Sequence, residues 1–198
     1  MDHLGLLGPL IRVTPGERLT VYFKNNAAFA AGIQPGGLLP LARLLPGAAD
    51  GARQTTWDAA RALPFASGVA PGGEAVYEWI VPPEAGPAAD EPDTKLWLYR
   101  SALYPDGSDN AGLVGPILVS RAGSPPGGAA PAGRDIVTVM ENLNEGASPL
   151  REANLAGRDA AALGLADEAE LDANLVMHAV NGYIFCGLPG LEMTQGER

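Results

Sequence analysis

The chain has 198 residues, with 13 basic and 23 acidic side chains and a formal net charge of −10. Its length allows one domain plus part of another, and its negative surface excludes nucleic acid as a natural partner while drawing cations. Apolar residues make up 46%, enough for a packed core, while 26 Gly and 18 Pro exclude a mostly helical build and favour short strands joined by turns.

In chain order, Leu19, Val21 and Phe23 alternate with Thr20, Tyr22 and Lys24, which predicts a half-buried strand after the turn Thr14-Pro15-Gly16. A short strand is expected over residues 30–34. Periodicity then disappears from 35 to 73, which reads as a long loop with one helical turn at 56–63. Residues 75–81 (AVYEWIV) predict a strand with Tyr77, Trp79 and Val81 on one face. The acidic stretch 84–93 connects to strands at 96–100 and 113–120, with a turn at Asp106-Gly107. Pro116 demands an edge or a bulge in the second of these. Residues 122–134 read as a flexible linker. Residues 135–141 (DIVTVME) predict a strand, and 151–173 a helical stretch broken at Gly157 and Gly164. Residues 177–185 are strand–turn material, with Asn181-Gly182 as a hairpin signal. At least six short strands predict an all-β, Greek-key sandwich.

The single cysteine, Cys186, excludes an internal disulfide. No run of residues approaches membrane-crossing length. The N-terminal MDHLGLLGPLIRV lacks the layout of a signal peptide.

Four phrases carry a resemblance: HLGLLGPLIRV at 3–13, VAPGGEAVYEWIVPPEAGP at 69–87, LYRSALYPDGSDNAGLVGPILVS at 98–120, and MHAVNGYIFCGLPGLEM at 177–193. Together, in this order, they resemble the ceruloplasmin and hephaestin group of multicopper ferroxidases. The resemblance implies a cupredoxin-like (plastocyanin-like) Greek-key β-sandwich. It implies a copper-free domain over 1–145 that lacks its N-terminal strand. A helical connector over 146–173 and the start of a second such domain at 174–198 follow. The chain is then expected to be a fragment of a longer oxidase.

The copper ligands of that family test this chain residue by residue. Copper takes imidazole, thiolate and thioether ligands, and the chain has two His and one Cys. The family's H-x-H positions fall on Gln34-Pro35-Gly36 and Arg100-Ser101-Ala102. None of these is a copper ligand, and Arg100 repels a cation. The type 1 pattern sets a His and then a Met after its Cys, yet Gly187-Leu188-Pro189-Gly190-Leu191 follow Cys186. Cys186 is therefore expected to be a small buried hydrophobe. The family's disulfide positions fall on Thr94 and Ser120, so both cysteines are missing together.

The resemblance leaves His178 and Asp172 as metal residues. The family's M-H-x-x-N-G phrase supplies a His to an iron-holding site, with an acidic residue upstream. That acidic position falls on Ala173, and Asp172 or Glu170 can substitute. A carboxylate–imidazole pair suits iron as substrate. The bland reading makes His178 a hydrogen-bonded strand residue. His3, Trp57, Trp79 and Trp97 are expected in packing roles, and Glu84, Asp90, Glu91 and Asp93 in a solvated loop.

The leading expectation is a scaffold segment of a ferroxidase-type oxidase. Copper would reside in the intact parent and none in this chain, with neighbouring cupredoxin domains as partners. The resemblance implies an extracellular or cell-surface setting. The alternatives are a metal-free cupredoxin-like interaction module, or a short product that folds poorly because an edge strand is absent.

Overall fold

A computed structural model describes residues 2–44, 54–55, 68–101, 103, 107, 109–125, 135–192 and 194–196. The chain forms two compact units, one of Leu10–Leu103 with Gly115–Ala130, the other of Met1–Pro9, Tyr104–Val114 and Pro131–Arg198.

The first unit holds two four-stranded sheets. One takes β1 (Ile11–Val13), β8 (Val114–Ser120), β7 (Thr94–Arg100) and β3 (Gln34–Pro35), in that order. The other takes β2 (Arg18–Lys24), β6 (Glu74–Ile80), β4 (Leu39–Leu44) and β5 (Gln54–Thr55). Neighbours in the sheets are seldom neighbours in sequence, which is the crossing connectivity of a Greek-key build. β1 and β8 run parallel, with Ile11 opposite Ile117 and Val13 opposite Val119.

Alternation on β2 and β6 sets the core. Leu19 lies opposite Trp79, Val21 opposite Tyr77 and Phe23 opposite Ala75. Directly opposed residues share a face, so this face turns inward. Tyr77, Trp79 and Val81 are fully buried, as the sequence predicts. They cluster with Ile117 and Val119 of β8, so residues of both sheets fill one core. The Tyr77 and Trp79 rings stack at 5.4 Å, and Phe23 meets Tyr77 edge-on at 6.1 Å. The outward face is polar: Lys24 pairs with Glu74 at 3.2 Å and Arg18 with Glu78 at 3.7 Å.

Several sequence expectations shift. The strand expected at 30–34 is an isolated bridge from Ala31 to Val69 plus the two residues of β3. The Asn25 side chain is the reason, because its amide donates to Phe29 O and Val69 O and folds this stretch into a turn. The long loop at 35–73 contains β4, which pairs with β6 through a register break between Pro40 and Ala42. That break hides the alternation in the sequence. The helical turn at 56–63 and Trp57 lie outside the described residues. Pro116 sits in an internal strand, not at an edge. It is tolerated because the ladder to β1 begins one residue later, at Ile117.

The second unit is built on an antiparallel pair, β9 (Met140–Asn144) and β10 (Val176–Val180), with Met140 opposite Val180 and Asn142 opposite His178. The strand expected at 135–141 therefore starts later. The Val139 amide donates to the Asn181 side chain at 2.7 Å instead of to a ladder partner. The helical stretch forms as α1 (Arg151–Leu155), a 3-10 turn at Ala161–Leu163 and α2 (Glu168–Asn174). Gly157 and Gly164 break it at φ 75° and 76°. Asp167 caps α2 by accepting from the Glu170 amide. The helices thus lie within the connection between two paired strands.

The two faces of the β2–β6 pair make a quantitative contrast. Trp79→Ala is expected to cost about 3–5 kcal/mol, the usual penalty for a buried aromatic. Tyr22→Ala, on the outward face and 83% exposed, is expected to cost less than about 1 kcal/mol. Urea denaturation of the two variants checks both values, and equal losses would refute the assignment of faces.

Candidate functional site

The two segments on which the resemblance places the H-x-H positions meet in space. β3 pairs with the end of β7, placing Gln34 opposite Arg100 and Pro35 opposite Tyr99. The Gly36 amide donates to Leu98 O at 2.8 Å and extends the contact. Gly37, at φ 74°, runs beneath the Trp97 ring, where a Cβ would collide. Trp97 in turn donates from Nε1 to Ala85 O at 2.8 Å. The corner is well formed, yet its donors are a Gln amide, a guanidinium and the Ser101 hydroxyl. Gln34 is exposed and Ser101 buried. Neither an imidazole nor a thiolate stands there, so the residues present do not fit copper. Among the described residues, no group of three or more His, Cys, Asp or Glu side chains is placed to hold a metal ion.

Tyr99 packs over Gly115, where any Cβ would overlap its ring. Burial pushes the Tyr99 phenol up to about 12.

Thr94 opens β7 and Ser120 closes β8, and the two strands are sheet neighbours. The Arg121 amide donates to Asp93 O at 2.8 Å, which sets Thr94 and Ser120 at the same end of the pair. Ser120 is buried, and its Oγ has no hydrogen-bond partner among the described residues. A buried hydroxyl without a partner is unfavourable. Ser120 is one of the two positions where the resemblance implies a cysteine.

His178 and Asp172 are not brought into one site. His178 is exposed on β10, with Nδ1 2.6 Å from Asn142 Oδ1 across the ladder. It faces a groove of about 1080 Å³ that Met140, Val180, Phe185 and Cys186 also line. Asp172 lines a separate crevice of about 290 Å³ with Asn144, Gly146, Ala147 and Arg151. Its carboxylate takes Arg151 at 3.1 Å, and Arg151 also reaches Glu168 at 3.7 Å and Glu152 at 3.2 Å. The hydrogen bond to Asp172 is the main reason the Arg151 guanidinium is held above its ordinary value. The sequence reading missed Asn142 and Arg151. The alternation in ENLN at 141–144 was the available signal for the first, since it puts Asn142 on the His178 face once the pair is registered.

Cys186 is exposed, which overturns the expectation of a buried hydrophobe. It follows Phe185 in a turn where both residues take φ near 55°, at 53° and 57°. That turn throws both side chains outward, and Phe185 is 94% exposed. Glu84, Asp90 and Asp93 of the acidic stretch are exposed and Glu91 is half-buried, as expected of a solvated loop, and part of the loop is also tied down. Arg121 binds Asp93 at 3.1 Å and donates to Ala88 O and Glu91 O, while Glu91 pairs with Lys95.

These features define a layered all-β segment of cupredoxin type. Comparison with known proteins gives the family. Hephaestin from Homo sapiens is 35% identical over 201 residues, covering 98% of this chain and 16% of that protein. The protein named Ferroxidase HEPHL1 from Mus musculus is 30% identical over 99% of this chain and 16% of its own length. Ceruloplasmin from Homo sapiens is 30% identical over 99% of this chain and 18% of its own length. No family model matches. The chain is thus a homologue of the hephaestin and ceruloplasmin group of multicopper oxidases along nearly its whole length. It spans about a sixth of the length of those relatives.

Two outcomes follow from this geometry. Ser120→Ala is expected to leave stability unchanged or raise it by up to about 1 kcal/mol, because the hydroxyl it removes is unpaired. A loss above that in urea unfolding would show that Ser120 Oγ is satisfied. For Tyr99, the folded group titrates higher than the unfolded phenol near 10. Its contribution is therefore complete below pH 10 and is lost as the pH rises toward about 12. Stability measured across that window is expected to fall, and Tyr99→Phe to flatten the fall.

Proposed function

We propose that this chain is a scaffold segment of a ferroxidase-type multicopper oxidase and holds no copper of its own. The observation that carries this reading is the β3–β7 corner, where Gln34 faces Arg100 at the positions the family uses for imidazole pairs. A guanidinium there opposes cation entry by charge, and a Gln amide is a poor copper ligand. The segment's contribution is mechanical: its core fixes the two sheets, and neighbouring cupredoxin repeats of the parent supply the copper. The parent acts at an extracellular or cell-surface site. Among the described residues, no helix is long and apolar enough to cross a membrane.

Within that parent, His178 is the residue of this segment that contacts iron as substrate. The tautomer that carries its proton on Nδ1 donates to Asn142 Oδ1 and keeps its lone pair on Nε2, and His178 lines the groove. Asp172 is the carboxylate of the proposed pair, and it must exchange Arg151 for iron to serve.

The test uses the chain and its parent. The purified chain, reconstituted with copper and dialysed, is expected to retain substoichiometric metal and to leave Fe²⁺ oxidation at the buffer rate. Stoichiometric copper with turnover would overturn the scaffold reading. In the parent enzyme, His178→Ala is expected to raise KM for Fe²⁺ with kcat little changed. An unchanged KM would remove His178 from the iron path.

A further inference from the structure

The pair Asn181-Gly182 is the single Asn-Gly dipeptide of the chain, and the fold requires both residues. Asn181 is fully buried and takes φ 52°, a left-handed conformation that Asn tolerates better than other side chains. Its side-chain amide donates to His3 O at 2.6 Å and to Val137 O at 2.8 Å. Its side-chain oxygen accepts from the Val139 amide at 2.7 Å. The Leu6 amide donates to Asn181 O at 2.9 Å, and the Asn181 amide donates to Val139 O at 2.9 Å. One residue therefore ties the start of the chain, residues 137–139 and the β10 turn together. Gly182 follows at φ 78°, with Leu6 packed where a Cβ would lie. No other residue fits that position without displacing Leu6.

The same two residues form the dipeptide most prone to deamidation when the chain is free. The Gly182 backbone nitrogen attacks Asn181 Cγ, a C–N bond forms, and the Cγ–Nδ2 bond breaks with loss of ammonia. Water then opens the cyclic imide to Asp or to its isomer, in which the main chain runs through the side-chain carboxyl. No oxidant or reductant is involved. In the folded chain the side-chain amide and oxygen are engaged in hydrogen bonds and the residue is fully buried, so the carboxamide is not free to turn toward the attacking nitrogen.

We propose that Asn181 is a deamidation site protected only by the native fold, so that time spent unfolded converts the chain irreversibly into a form that cannot refold. The product explains the irreversibility. A carboxylate at 181 has no N–H to give to His3 O and Val137 O. It would face two carbonyl oxygens as a buried charge or as a half-satisfied acid. The isomerised product also lengthens the main chain at a turn with no room for it.

The full 198-residue chain is incubated in native buffer and in concentrated urea at the same pH and temperature, and the peptide spanning Asn181 is followed by mass spectrometry. The deamidated mass is expected to accumulate in urea and to form at least roughly tenfold more slowly in buffer, since exchange must await opening of the buried site. On dilution from urea, briefly unfolded chain is expected to regain its thermal transition and deamidated chain not to. Asn181→Asp, which supplies the product directly, is expected to lower the thermal midpoint by about 10 °C or more. Equal deamidation rates in buffer and urea would overturn the proposal, as would deamidated chain that recovers the unmodified midpoint.

Discussion

The inward face of β6 is the constraint on which the sandwich depends. Tyr77, Trp79 and Val81 are fully buried, and the strand that carries Tyr77 and Trp79 lies between β2 and β4. Burying large aromatics supplies the largest single contributions such a small core can gather. Because side chains alternate along a strand, a slip of one residue would turn all of them outward together. The register of β2 and β4 on β6 is therefore fixed by burial, with Lys24–Glu74 and Arg18–Glu78 reinforcing it on the other face.

That division of labour lets the β3–β7 corner hold its shape independently of which side chains stand at its rim. The β3–β7 contact rests on backbone pairing and on Gly36, Gly37 and Trp97, none of which needs an imidazole nearby. Gln34 and Arg100 lie outside the core cluster, so they set the electrostatics of the rim and leave the core untouched. The Ser120 position behaves in the same way. The strand end persists, and the cost appears locally as one buried hydroxyl without a partner.

What the sequence made legible follows from the same physics. β2, β6, β7 and β8 were readable because each is a run whose alternation or apolar content reports burial directly. β4 was not, because Pro40 and the register break scramble the period over LPLARL. The start of β9 was misplaced because Val139 looks like a strand residue while its amide is spent on Asn181, 42 positions away. Nothing local encodes such a bond. The exposure of Cys186 was likewise hidden, since it depends on two consecutive left-handed residues, Phe185 and Cys186, that sequence statistics disfavour. The His178 phrase was visible from its similarity to the family, but its partner Asn142 emerged only when β9 and β10 came into register.

The two metal candidates differ in what iron would have to displace. For His178 the ring is held by Asn142 across the ladder, so a metal at its other nitrogen would displace no side-chain partner among the described residues. Asp172 stands in the opposite state, its carboxylate engaged by a guanidinium that also serves Glu168 and Glu152. Arg151 is a permanent charge and cannot be titrated away at physiological pH. The same cation that organises α1 and α2 around this crevice thus competes with any metal for Asp172. Solvent-exposed pairs of this kind exchange readily and are screened by salt, so competition from Arg151 adds to the separation of Asp172 from the His178 groove. Under the proposed iron role, the two residues would therefore differ in what an arriving divalent ion meets: an exposed imidazole at His178, and at Asp172 a carboxylate it would have to win from Arg151.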